Sequence, residues 1–418
     1  MINYKMKIAI ISSGFLPIVD GVTVTLINRI HRLSKDGHQV LLLCPDYSSL
    51  EKIYPNWRKY TGNILPRVKV INLPSNSLMG LNFDRNVTKQ SYQIVLEKLH
   101  EFQPDIIHVD EPERLFVGFL KTPGVDFAKE NHLPCISFFH TNFLEYGKDY
   151  FSTPAWLDII LKWIFQLPLA WIYNQYDATL VSSSITAQKL SRMGIKNVVR
   201  GSFLGIDLAQ FNRDLRCEKF FEERYGISDI AQKVKLVFLG RLTPDKGWKF
   251  TINALFEMAK KVDFKTIAVI IAGDGSMRDE IAKKLGKLTP NLYFLGRIPH
   301  EEIPALLVNC DVHITTSEKE TRGLTILEAF AAGIPAIAPC AGGIPDSIQD
   351  GWNGFLYEPQ NCDDFAKKLE KLIDDPSLRQ VMGARGREYI AEYSWDNAVR
   401  NLLQIWEEKI AARRANNY

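Results

Sequence analysis

Short apolar runs along this chain alternate with longer stretches whose apolar positions recur at helical spacing. In the first half the runs predict strands at Lys7–Ser12, Val40–Leu43, Asp105–Val109, Pro134–Phe139, Ala178–Val181 and Val198–Gly201. Helices are predicted between them, among others at Val22–Lys35, Val87–Phe102 and Ile185–Met193. The rhythm restarts at Lys235–Leu239 and continues through Ala268–Ala272, Leu292–Leu295, Val312–Thr315 and Ala336–Pro339. Strands this apolar, alternating with helices, imply an α/β fold with parallel sheets covered on both faces.

A chain of 418 residues exceeds one ordinary core. The repeated rhythm therefore predicts two Rossmann-like domains whose parallel sheets face a central cleft. The expected boundary falls in the mixed-polarity stretch Phe203–Lys233, giving domains at 1–204 and 205–396. A last helix, about Asn397–Arg413, has no strand after it to cover, and 397–418 is expected to pack back on the first domain. Ligands of such sheets sit beyond the carboxyl ends of the strands. The stretch Ala155–Tyr173 is very apolar, but Asp158, Lys162, Gln166 and Pro168 interrupt it. A spanning helix needs roughly 20 mostly uninterrupted apolar residues. Two readings stay open: a core helix kinked at Pro168, or a helix that lies on a lipid surface.

Composition narrows the class. Met1–Ile11 reads as one short apolar strand without a cleavage site, so no secretory signal is expected. Six scattered cysteines include no Cys-x-x-Cys pair, which suits reduced residues of a cytosolic protein rather than a disulfide framework or metal site. A net charge of +3 gives no case for nucleic acid. The first 200 residues carry 22 Lys and Arg against 17 Asp and Glu, the remainder 29 against 31. That small basic excess is compatible with an anionic membrane surface, and the expected location is the cytoplasm or the cytoplasmic face of a membrane.

Candidate chemistry concentrates between Thr315 and Gly343. Glu320 and Glu328 lie eight residues apart around a Gly-Leu-Thr turn that opens a helix. A helix start suits a phosphate, and carboxylates accept hydrogen bonds from sugar hydroxyls. Together they describe a site for a nucleotide-sugar diphosphate. The competing reading is a capping box made by Thr325 and Glu328, which needs no ligand.

Other strand ends add groups. Gly14–Gly21 follows the first strand, and its glycines allow close backbone approach. Arg241 and Lys246, in the loop Gly240–Gly247, form a cationic pair suited to a diphosphate leaving group. Ala272–Gly275 is either a plain tight turn or a place where a nucleotide passes the backbone at Gly273, and Gly296–Pro299, with Arg297, is placed to contact a base. His140, followed by Thr141 and Asn142, ends a first-half strand; Asp110, Glu111 and Glu113 end the one before it. These acids, like Asp20, are candidates to hold acceptor hydroxyls or act as a base, with acidic surface loops as the alternative.

Together the segments GFLPIVDG, FQPDIIHV, FFHTN, GID with FN, GRLTPDKG, AGDG, ETRGLTILEAFAAGIP and AGGIPDSI with GFLYEP resemble the GT-B glycosyltransferases of family 4, retaining enzymes that use nucleotide sugars. VDGVT, the HTN turn and AGGIPD look most like sulfoquinovosyl- and mannosyl-transferases of glycolipid synthesis. The resemblance implies that Glu328 holds the nucleotide ribose and Glu320 the sugar hydroxyls, while Arg241 and Lys246 bind the diphosphate. It implies that Gly21 lets a backbone N–H reach the diphosphate, and that Gly323, Leu324 and Thr325 support sugar and phosphates. His140 would line the reaction centre on the acceptor side. It further implies a UDP- or GDP-linked sugar as donor and no metal. The acceptor is a hydroxyl, of a diacylglycerol-type lipid or of a soluble or polysaccharide molecule. An epimerase and a non-catalytic nucleotide-sugar-binding protein are the rival readings. Arg322 stands where the family usually shows Phe, Gln or Leu; it reads either as a partner for an anionic sugar or as a partner for Glu320.

Overall fold

The apolar runs become the strands of two parallel sheets in a computed structural model that describes residues 5–78, 81–140 and 166–415. The chain divides into two compact units. Unit 1 comprises described residues up to 205 together with 395–415, and unit 2 comprises 206–394.

Unit 1 is built on β1 (Lys7–Ser12), β2 (Gln39–Pro45), β3 (Gly62–Leu65), β4 (Val68–Leu73), a separate hairpin of β5 (Ser75–Leu78) and β6 (Leu81–Val87), then β7 (Ile106–Asp110), β8 (Cys135–Phe138), β9 (Ala178–Val181) and β10 (Val198–Arg200). The main sheet runs β10-β9-β8-β7-β1-β2-β4-β3, parallel except for β3. β1, β2 and β7 are buried on both faces, so alternate residues enter different cores. Ile8, Ile10, Val40 and Leu42 face one core; Ala9, Ile11, Leu41 and Leu43 face the other. The last helix, Trp395–Ala415, completes the first of these cores with Val399, Leu402, Trp406 and Ile410, an amphipathic stripe at helical spacing. Its flank is tied to the unit by Arg32–Asp396 at 2.5 Å and Arg413–Asp177 at 2.6 Å.

Unit 2 holds β11 (Val234–Leu239), β12 (Ile267–Ala272), β13 (Leu292–Gly296), β14 (Val312–Ile314), β15 (Ala336–Pro339) and β16 (Gly354–Tyr357), all parallel in the order β13-β12-β11-β14-β15-β16.

Several expectations need correction. The helix predicted from Val87 begins at Ser91, because Val87 ends β6. The hairpin that displaces it is polar and lacks the apolar run that marked the other strands. Edge strands β3 and β16, and β4 beside β3, also escaped the pattern, since they are short or only half buried. The Ala155–Tyr173 stretch lies largely outside the described residues, which resume at 166.

At the carboxyl ends of β11 and β12 two backbones touch. Gly273 has φ 150°, and a Cβ there would lie 1.8 Å from the carbonyl oxygen of Gly240. The glycine is therefore needed by the protein's own turn packing. We expect Gly273→Ala to destabilise unit 2 by about 1–3 kcal/mol, a clear fall in Tm. Gly226→Ala, where φ is 66° but the space is open, should cost visibly less. Equal Tm values for the two variants would refute the contact's importance.

Candidate functional site

In an open parallel sheet, the place where strand order reverses leaves neighbouring loops splayed for a ligand. In unit 2 that place lies between β11 and β14, and in unit 1 between β1 and β7.

The loop after β11 ends in a single turn, Pro244–Lys246, closed by Gly247 at φ 75°. A Cβ on Gly247 would lie 2.3 Å from the Thr316 carbonyl oxygen, so the loops after β11 and β14 meet backbone to backbone. Thr316 Oγ1 donates to the Lys246 carbonyl at 2.9 Å. This bolt brings Lys246 Nζ to 2.6 Å from Glu320 Oε1. Burial pushes the Glu320 carboxyl up, but Lys246 and a hydrogen bond from Ser317 outweigh it and hold it below its ordinary value. The Glu320 carbonyl accepts from Gly343 N–H at 2.7 Å, and a Cβ on Gly342 would clash with it at 2.4 Å. The AGG turn thus shapes the backbone that presents Glu320. Arg241 is partly exposed and reaches Asp245 at 3.4 Å, a buried carboxylate that sequence reasoning missed despite its i,i+4 spacing.

Residues Leu324–Ala332 form the helix opened by Gly323, which has φ 77° and no side-chain cap. The capping-box alternative fails. Thr325 is inside the helix and its hydroxyl meets His313 Nε2 at 3.1 Å. Glu328, 6% exposed, has its carboxyl 3.8 Å from His300 Nδ1, and burial pushes it up to about 8. Among the described residues no hydrogen bond to the Glu328 carboxyl occurs. His300 was not anticipated; its signal is a histidine just past the Gly296–Pro299 loop.

Arg297, half exposed, lies 3.7 Å from Asp274. At Gly273 the backbone packs directly against the Gly240 carbonyl, so the glycine in Ala272–Gly275 serves the protein's own turn whether or not a nucleotide also passes there. Arg322 is buried, donates to Tyr389 Oη at 3.2 Å and lies over the Tyr393 ring at 5.0 Å. It packs where an aromatic side chain would be at home.

In unit 1, Asp110 is fully buried between Arg29 at 3.3 Å and His140 Nε2 at 2.7 Å. Burial raises its carboxyl, but the Arg29 guanidinium above all, with His140, holds it well below the usual carboxylate range. His108, 2.8 Å from Arg29, is pushed down to about 4 by burial and by that cation, so it is neutral and accepts from Arg29. Arg29 and His108 were both missed. The available signals were a cation in the apolar stripe of the helix Gly21–Lys35 and a histidine inside an apolar strand. Glu111 has φ 53° and accepts from the Ser13 hydroxyl. Glu113 is buried against Tyr173, and burial together with Glu111 pushes it up to about 8. Asp20 caps the helix that Gly21 opens by accepting from Thr23 N–H at 2.9 Å. Thr141 and Asn142 lie outside the described residues.

Comparison with known proteins now bears on this geometry. The family model described as glycosyl transferases group 1 matches residues 222–389, and that described as glycosyltransferase family 4 matches 19–210. The chain belongs to the group 1/family 4 glycosyltransferases. A GDP-mannose-dependent alpha-mannosyltransferase of Corynebacterium glutamicum is 27% identical to this glycosyltransferase over 97% of its chain and 90% of the relative. A sulfoquinovosyl transferase of Arabidopsis thaliana is 29% identical over 75% of this chain and 60% of that protein. The crystal structure of Anabaena Alr3699/HepE in complex with UDP and glucose matches with a TM-score of 0.72 at 18% identity, covering 96% of this chain and 100% of that one. The fold is GT-B, two α/β units each with a parallel sheet. Among the described residues, no three His, Cys, Asp or Glu side chains are grouped to hold a metal ion, and no helix is long and apolar enough to cross a membrane.

The raised Glu328 carboxyl gives this glycosyltransferase a pH signature. Its folded pKa lies above the ordinary 4.5, so between those values the folded state holds the extra proton. Stability from Glu328 is then fully present below pH 4.5 and lost as pH rises through about 8. Glu328→Gln should match the wild type in Tm near pH 4 and exceed it increasingly up to pH 8.5. A Tm difference independent of pH would contradict the assignment.

Proposed function

We propose that this glycosyltransferase moves a hexosyl group, with retention, from a UDP- or GDP-linked sugar to a hydroxyl acceptor, of which a diacylglycerol-type lipid is the leading candidate. The observation that carries the reading is the Lys246–Glu320 pair at the strand-order reversal of unit 2, with the poorly partnered Glu328 one helix start away. Glu320 accepts hydrogen bonds from the sugar and Glu328 from the ribose. Lys246 keeps donors for the diphosphate while it orients Glu320. Arg241 adds a second cation, its carboxylate neighbour Asp245 fixing the guanidinium. The uncapped N–H groups at Gly323–Thr325 support the phosphates, Gly21 serves the same end with its backbone, and the Gly296–Arg297 loop meets the base.

Retention follows from same-face attack. The glycosyl–oxygen bond to the diphosphate breaks first, the leaving phosphate oxygen takes the acceptor's hydroxyl proton, and the new glycosidic bond forms on the face just vacated. No added base is then required, and stabilising the diphosphate supplies much of the rate. His140, oriented by Asp110, lines the acceptor side together with Glu111. The likeness to sulfoquinovosyl- and mannosyl-transferases, the apolar Ala155–Tyr173 stretch and the basic first half support a lipid acceptor met at an anionic membrane surface.

A thermal-shift series with UDP, GDP and their hexose conjugates tests donor binding, since a ligand of the folded state raises Tm. One nucleotide should give a clear shift; none doing so counts against the donor site. With that donor, Lys246→Ala should lower kcat by about 100-fold or more with a smaller change in KM. Wild-type kcat in that variant would overturn the role of Lys246. Diacylglycerol in anionic vesicles should yield a glycolipid and carry the protein upward on flotation, whereas an epimer formed from donor alone would redirect the assignment.

A further inference from the structure

His300 takes its position from a packed corner rather than from the nucleotide loop itself. It opens the turn His300–Glu302, which runs straight into the helix Ile303–Val308. That helix buries Leu306 and Leu307 in the same core as Ile326 and Leu327 of the Glu328 helix. The two helices therefore fix the imidazole beside the carboxyl. Nδ1 lies 3.8 Å from Glu328 Oε1, with the His300 side chain 35% exposed and that of Glu328 only 7% exposed. Among the described residues this enclosed carboxyl has His300 as its one ion-pair neighbour, and the imidazole is the more exposed of the two.

Given the assignment of Glu328 to the ribose, we propose that His300 is a further residue of the nucleoside-diphosphate site, receiving the proton that the Glu328 carboxyl gives up as it accepts hydrogen bonds from the ribose hydroxyls. The carboxyl O–H bond breaks, an N–H bond forms on the imidazole, and the pair passes from neutral–neutral to anion–cation with no net charge change. A small rotation of the ring closes the 3.8 Å gap to hydrogen-bond distance.

The electrostatics on each side agree. Burial alone pushes Glu328 up to about 8, so near neutral pH it carries its proton. Burial lowers His300, offset in part by the neighbouring Glu301, so the ring begins neutral. Two hydroxyl donors favour the carboxylate, and a carboxylate beside the ring favours the imidazolium. Of the other charged groups of this loop, Arg297 lies against Asp274 and Glu302 against Arg224. Glu328 and His300 thus exchange one proton between them, and nucleotide binding is buffered against pH.

Calorimetry of UDP and GDP binding to the full-length protein, at pH 7 in buffers of different ionisation enthalpy, counts the protons released. Wild type should release only a small fraction of a proton per nucleotide. His300→Gln keeps a polar side chain of similar reach but cannot take a proton, and should release about one. Its affinity should then climb up to about tenfold per pH unit between pH 6 and 7.5, against a shallow slope in wild type. Glu328→Gln should abolish the release in either background. Equal proton release by wild type and His300→Gln, with both binding, overturns the role of His300 and leaves the nucleotide site standing. Binding of neither nucleotide by wild type overturns the nucleotide site itself, and this role with it.

Discussion

A strand buried on both faces can gain a parallel neighbour only through a crossover that covers one of those faces. Both sheets obey that constraint, and covering both faces forces the order of strands to reverse once. In unit 1 the reversal separates β1 from β7, and in unit 2 it separates β11 from β14. Ser13 and Glu111 follow the first pair of strands, Lys246 and Glu320 the second. The polar chemistry is thus placed by the need to hide Ile8–Ile11 and Leu236–Phe238 from water.

The two reversals treat buried charge differently. Asp110 is compensated from two sides, by Arg29 and the His140 imidazole, and sits behind His140. Glu320 is compensated by Lys246 at the edge of solvent. Glu328 has neither a cation nor a hydrogen bond among the described residues. An interior carboxyl without donors is costly wherever it occurs in a folded protein. On its helix the other buried side chains, Ile326, Leu327, Ala329 and Phe330 among them, are apolar, so Glu328 stands apart from the packing around it.

Much of this was legible in the residues. The doubly covered strands announced themselves as apolar runs, and the Gly-Leu-Thr turn between Glu320 and Glu328 marked the start of the helix Leu324–Ala332. What escaped follows a physical pattern. The β5–β6 hairpin is polar, β3 and β4 are only half buried, and β16 is only four residues long, so no extended apolar run marks them. Arg29 and His300 are single polar residues whose meaning depends on distant partners, His108 and Asp110 lying 79 and 81 positions from Arg29 and Glu328 lying 28 from His300, contacts that only the folded chain reveals. Gly273 and Gly342 show the converse difficulty. A glycine that admits a ligand and a glycine that admits a neighbouring carbonyl are identical in sequence.

The helix Trp395–Ala415 belongs to unit 1, although all of unit 2 precedes it. Ile206 N–H donates to the Tyr393 carbonyl at 2.7 Å, so the chain enters and leaves unit 2 at adjacent points. Unit 2 is thus an insertion in the domain that surrounds it in sequence. During synthesis it has every strand and helix it needs while unit 1 still lacks Trp406, the largest fully buried side chain among the described residues. The first sheet to emerge from the ribosome is the last to have its core filled.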